Sequence, residues 1–135
     1  MTHRASGTFD VKLKPQPPED LVGHPSIGRL SIEKQYHGEL EAISTGQMLA
    51  AQGTDGSAGY VALERVSGKL QGRIGTFALQ HSGTMTRGVP ALSISVVPDS
   101  GTGQLVGLEG NVKILNVDKL HSYEFEYTLA VDREP

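Results

Sequence analysis

YVALERVSGKLQGRIGTFALQHS, residues 60–82, reads as one long β-hairpin turning at Gln71-Gly72. A two-residue loop with glycine second suits the primed turns that join twisted antiparallel strands. Leu70 then opposes Arg73, Glu64 opposes Leu79, and Ala62 opposes His81. Side chains alternate along a strand and opposed residues share a face. One face carries Tyr60, Ala62, Glu64, Val66, Phe77, Leu79 and His81; the other carries Val61, Leu63, Arg65, Lys69, Thr76, Ala78 and Gln80. The first holds both aromatics and most of the bulk, so it is the core side. That places a glutamate, Glu64, inside the fold and diagonal to a histidine, His81.

Composition narrows what surrounds this hairpin. A chain of 135 residues is long enough for one domain with its own core. It has no cysteine, which fits a reducing, cytoplasmic setting and excludes a disulfide framework. The net charge is −3, with both signs interspersed. No basic stripe serves a phosphate backbone, so nucleic acid is not an expected partner. No apolar run has membrane-spanning length, so no membrane association is expected. The five histidines have no metal-ligand spacing, and no nucleotide fingerprint is present, so neither metal nor cofactor is expected. Seventeen glycines among β-branched residues, without a sustained helical period, predict an all-β protein.

The rest of the chain extends the meander. Ala5–Lys14 alternates with Phe9, Val11 and Leu13 on one face. The proline-rich run Pro15–Gly28 reads as a long loop, either a lid or a stiff connector. Strands are predicted over Ile27–Leu40 and Ile43–Gly53, with a turn at Glu41-Ala42 that sets Tyr36 opposite Gln47. A second turn at Thr54-Asp55-Gly56-Ser57 sets Gln47 opposite Glu64. Met48 and Ala50 then face outward. Arg87-Gly88 leads into Val89–Pro98 with Ile94 opposite His81. Leu108–Val117 follows, and His121–Asp132 alternates with Tyr123, Phe125, Tyr127, Leu129 and Val131 inward. Three echoes of G-x-L-x-[GA], around Leu40, Leu70 and Leu105, predict three turns of similar build with a leucine tucked beside each. All four tyrosines and three phenylalanines fall on inward faces. Eight antiparallel strands with two edges to hide predict closure into a barrel.

Tyr36-x-Gly-x-Leu-Glu, Gly59-Tyr-Val-Ala-Leu-Glu-Arg, Gly75-Thr-Phe-Ala-Leu-Gln-His-Ser-Gly and Val97-Pro-Asp-Ser-Gly-Thr-Gly-Gln-Leu-x-Gly-Leu-x-Gly resemble the bacterial domain-of-unknown-function family 3224. The resemblance runs from about Ala5 to Val131. It departs at Ala42, where a glycine is expected, and at Pro90 with the ALSISVVP run. It implies an eight-stranded barrel similar to allene oxide cyclase, a group in which cyclases and dirigent proteins hold apolar substrates in a shaped cavity. It implies no catalytic residues for this chain.

The combined registers gather Lys34, Tyr36, Gln47, Glu64 and His81 on one inner wall, with Tyr60 beyond. The opposite wall, with Tyr123, Phe125 and Tyr127, is aromatic and apolar. An apolar body with a few convergent polar groups is the pattern of a small-molecule site. The principal expectation is therefore a barrel that binds a small, largely apolar molecule. The alternative is a cyclase- or isomerase-like enzyme in which Glu64 and His81 are catalytic and move a proton, while Lys34, Tyr36 or Gln47 holds the oxygen that gains charge. A third reading is a filled barrel serving as an interaction module: buried Glu, Lys and His can satisfy one another as a polar plug. An interior filled by Tyr123, Phe125 and Tyr127 would leave no room for a ligand among them. The outward patch of Met48, Ala50, Val61, Leu63 and Ala78 predicts a homo-oligomer.

Overall fold

The structure, a computed structural model, describes residues 1–16, 27–117 and 120–133. Its strands are β1 (His3–Pro15), β2 (Ile27–Gly38), β3 (Leu40–Gln52), β4 (Ala58–Leu70), β5 (Arg73–Thr86), β6 (Val89–Val96), β7 (Glu109–Val117) and β8 (Leu120–Thr128). Short 3-10 turns lie at Gly103–Leu105 and Ala130–Arg133. Each strand pairs with the next, and β8 pairs with β1, so the sheet closes into an eight-stranded antiparallel barrel. Closure removes the edges that a sheet of this length would otherwise present to other chains. Among the described residues, no helix is long and apolar enough to cross a membrane.

The β4–β5 hairpin has the register that its turn dictates. Gln71 and Gly72 both take positive φ, 45° and 85°, and Leu70 pairs with Arg73. Glu64 therefore lies opposite Leu79, and Ala62 opposite His81. Arg87-Gly88 repeats the geometry and sets His81 opposite Ile94.

Strand β3 is inverted relative to the expectation. Tyr36 pairs with Ala42 rather than Gln47, and Glu64 pairs with Gly46 rather than Gln47. Two loops cause this. Gly38 takes a φ of 105° and the chain re-enters the sheet at Leu40, so β3 begins earlier than predicted. At the other end Gly53 N–H donates to Ser57 O, which encloses three residues where two were expected. A one-residue change in pairing sends every side chain to the opposite face. The offsets, five residues on the β2 side and one on the β4 side, are both odd, so β2 and β4 keep their expected facing and β3 alone is reversed, while β2 is shifted four residues along β4. Ala42, Ser44, Met48 and Ala50 point inward; Gln47, Leu49 and Ala51 point outward. The outward apolar patch accordingly consists of Leu49, Val61 and Leu63, each about half exposed. Met48 and Ala50 are not part of it.

The two ends of the barrel differ. At the end carrying Gln71-Gly72, Leu40, Leu70 and Leu105, the three echoed leucines, are each no more than 2% exposed. With Leu108, Leu129, Phe77, Tyr123, Phe125 and Tyr127 they fill that half. Burial of each leucine contributes about 1.5–3 kcal/mol. The Ser100-Gly101-Thr102-Gly103 run serves closure. Along β5, β6 covers only Leu79–Thr86, and the connector takes over below it. Val97 and Thr102 N–H donate to Ala78 and Thr76 O, while Ser100 Oγ and Thr102 Oγ1 accept from Ala78 and Thr76 N–H.

The other end is less tightly joined. Among the described residues, β6 meets β7 at one pair, Ser95 with Asn111. Strand β8 ends sooner than predicted, because Asp132 Oδ2 accepts from Leu129 N–H at 2.7 Å and draws the chain into a turn. Val131, expected inward, is 63% exposed as a result. Most of the proline-rich loop, expected as a lid or connector, falls on residues 17–26, outside the described residues.

Candidate functional site

Glu64 sits at mid-height on β4 with its side chain fully enclosed. Its neighbours follow from pairing. Lys34 and Tyr36 are consecutive inward positions on β2, Ser44 is the inward residue beside Gly46 on β3, and His81 is one layer above Leu79 on β5. Gly46 permits the arrangement. A Cβ there would fall 2.1 Å from Leu63 O and 2.9 Å from Glu64 Cβ, so only glycine lets β3 approach β4 this closely.

Four donors converge on the carboxylate. Lys34 Nζ and His81 Nε2 lie 3.0 and 2.6 Å from Oε2. Ser44 Oγ donates to Oε1 at 2.8 Å, and the Tyr36 hydroxyl makes a short bond to the same oxygen. These donors match the acceptor capacity of an ionised carboxylate. The Lys34 ammonium also lies 5.1 Å from the centre of the Phe9 ring, which supplies a π face for its charge. Among the described residues, no buried side-chain nitrogen or oxygen lacks a partner.

Burial alone would raise the Glu64 pKa. The His81 hydrogen bond, the Lys34 charge and the Tyr36 bond outweigh it and hold the pKa at about 2, against an ordinary 4.5. Burial first, then the Glu64 charge, push the Tyr36 hydroxyl well above its usual range, so it remains a donor. A carboxyl whose pKa is lower folded than unfolded stabilises the fold fully above its unfolded pKa. That contribution disappears as pH falls from 4.5 towards 2, and amounts to about 3 kcal/mol. Urea unfolding across this range should show the loss in the wild type and not in Glu64→Gln. Glu39 and Asp132 are also held low by local hydrogen bonds, so the comparison with the variant isolates Glu64. An equal acid loss in both proteins would contradict the assignment.

Above His81 the interior becomes apolar. Met48 and Ala50 of β3, Ala58 and Tyr60 of β4, Gly83 and Met85 of β5, and Pro90 and Leu92 of β6 line an open groove of about 300 Å³. The Tyr60 ring covers Gly83; a Cβ at Gly83 would come within 2.4 Å of Tyr60 Cε1. The Tyr60 and His81 ring centres are 6.3 Å apart. Tyr60 thus forms the floor of the groove, with the polar cluster behind it.

Of the residues expected at the site, Lys34, Tyr36, Glu64 and His81 come together. Gln47 does not: it faces outward, where Arg29 Nη1 donates to its side chain at 3.3 Å. Tyr123, Phe125 and Tyr127 are each 1% exposed and fill the closed half rather than lining open space. The Tyr123 hydroxyl accepts from Leu40 N–H at 3.0 Å, and that of Tyr127 bonds Gln71, so both anchor turns. Ser44, Met48 and Ala50 were missed because β3 was read in the inverted register. Gly46 was the available signal, since an interior strand glycine marks a close approach.

A sequence model of the family described as "Protein of unknown function (DUF3224)" matches residues 5–127. The chain belongs to the DUF3224 family. A crystal structure of a family protein of unknown function from Shewanella oneidensis MR-1 is similar at 45% identity, with a TM-score of 0.89, covering 100% of this chain and 99% of that one. A search among curated proteins gives no match. The family therefore supplies the fold, and any function must be argued from the interior.

Proposed function

We propose that this DUF3224 barrel binds a small, largely apolar molecule in the groove at its open end. The observation that carries the reading is the groove itself: about 300 Å³ lined by apolar side chains of β3 to β6, above the polar cluster. Its volume is at the lower limit for small-molecule sites. The closed half is packed with Phe77, Phe125 and Tyr127, which favours a site above the polar cluster over one in the barrel centre.

The cyclase- or isomerase-like alternative fits less well. A general base needs an accessible lone pair and a pKa near the working pH. Glu64 has four donors on its two oxygens and a pKa of about 2. Its geometry suits a structural anchor that fixes the height and orientation of His81 beneath the groove.

The test uses N-phenylnaphthylamine, an uncharged dye that brightens in apolar surroundings, with wild type and Ala50→Trp. Ala50 pairs with Tyr60, so an indole there would occupy the groove above its floor. Dye affinity should fall about tenfold or more, equivalent to about 1.4 kcal/mol, with thermal stability retained. Unchanged binding in the variant would place the dye elsewhere and remove the support for this reading.

A further inference from the structure

Tyr60 is the one inward-facing polar side chain among the described residues that line the groove. Pairing sets its direction: it lies opposite Ala50 on β3 and Gly83 on β5, and opposed residues share a face. Thr84, the other hydroxyl in the lining, lies opposite Gly59 and Ala91 and faces the outer surface. The remaining inward side chains, Met48, Ala50, Ala58, Met85, Pro90 and Leu92, carry no N–H or O–H group. The Tyr60 hydroxyl has no hydrogen-bond partner among the described residues. Since no buried side-chain nitrogen or oxygen lacks one, this hydroxyl meets solvent. The ring that carries it is held against Gly83, where a Cβ would come within 2.4 Å of Cε1. Burial first, then the Glu64 charge, raise the Tyr60 pKa above its ordinary range, so the hydroxyl keeps its hydrogen at neutral pH.

We infer that the groove selects uncharged apolar molecules carrying a carbonyl oxygen, a ketone, aldehyde or ester, which accepts a hydrogen bond from the Tyr60 hydroxyl. The inference rests on the groove being a ligand site, and it makes Tyr60 the residue that sets specificity there. Three features favour this class. A pure hydrocarbon that displaced solvent from the hydroxyl would leave it unpaired, which is costly. An alcohol could accept from Tyr60, but its own hydrogen would then find no second polar side chain on the inner face of the groove. No charged residue lines the groove, so a carboxylate or ammonium head group meets no counter-ion there.

Two probes of nearly equal shape test it: 2-acetylnaphthalene and 2-isopropenylnaphthalene, in which a CH2 group replaces the carbonyl oxygen. Each is titrated against wild type and Tyr60→Phe, so that each probe is its own reference for hydration. The variant removes an oxygen that bonds no protein group, and thermal stability should be retained. Ketone affinity should fall about tenfold, while that of the alkene should stay within about threefold or rise. Infrared spectroscopy gives a readout in the unaltered protein. The carbonyl stretch of the isotope-labelled ketone should lie below its position in hexane, and return towards that position in Tyr60→Phe. An unchanged ketone affinity, equal losses for the two probes, or a wild-type stretch at the hexane position overturns the carbonyl assignment and leaves the groove reading intact. Binding of neither probe overturns the groove reading and this inference with it.

Discussion

Glu64→Gln is expected to cost about 3–5 kcal/mol of folding stability, the usual penalty for removing one partner of a buried ion pair. The amide preserves the shape of the side chain and loses its charge. It can turn its oxygen towards Lys34 and His81 and its NH2 towards the Tyr36 and Ser44 hydroxyls. Each hydroxyl can rotate to accept, so the geometric damage is small. What remains is the Lys34 ammonium, whose side chain is only 7% exposed and whose counter-ion has gone. A variant that is Lys34→Met alone should be similarly damaged, because the Glu64 charge is then left without its cation. Combining the two changes should cost clearly less than the sum of the single effects, since the double variant buries no unpaired charge. Urea midpoints of the four proteins measure this directly. Additive losses, or a Glu64→Gln protein within about 0.5 kcal/mol of wild type, would mean that the cluster does not hold the barrel together.

That cluster was largely legible before the structure, for a specific reason. Gln71-Gly72 fixes a loop length, and loop length fixes register, so Glu64 and His81 were placed one layer apart without ambiguity. Lys34 and Tyr36 kept their inward facing because both errors across β3 were odd. The aromatics of β1, β2 and β8 were legible because each sits on a strand whose other face is polar. Strand β3 lacks that contrast. Ile43, Leu49 and Ala51 on one face and Ala42, Met48 and Ala50 on the other are about equally apolar, so alternation cannot say which face is buried. The turns had to decide, and both were out by an odd number of residues, five at the first and one at the second. The consequence was local but reached the function: Met48 and Ala50, two walls of the groove, were assigned to the outer surface, and Gln47 took the place beside Glu64 that Gly46 occupies. The connector over β5 was also illegible, because its role depends on β6 being too short to cover Thr76 and Ala78, a property of the assembled barrel rather than of any segment.

Gly46→Ala decides between the two registers of β3, and its expected effect is a loss of about 3 kcal/mol, at the upper end for overpacking a core. The added methyl group would meet Leu63 O at 2.1 Å, Glu64 Cα at 2.7 Å and Glu64 Cβ at 2.9 Å. Backbone atoms cannot swing aside as a flexible side chain does, so β3 must move away from β4. Ser44, two residues away on the same face, would then lose its 2.8 Å bond to Glu64, coupling the steric cost to the polar cluster. Gly28→Ala on β2 is the control: among the described residues nothing lies within 4 Å of its Cβ position, and the change should fall within about 0.5 kcal/mol of neutral. In the register first expected, with Gln47 opposite Glu64, Gly46 would face solvent across from Arg65, and alanine there would be as harmless as at Gly28. A large loss at Gly46 beside a negligible one at Gly28 therefore supports the inward placement of Ser44, Met48 and Ala50 together. Two neutral substitutions would return Gln47 to the polar cluster and remove Met48 and Ala50 from the groove.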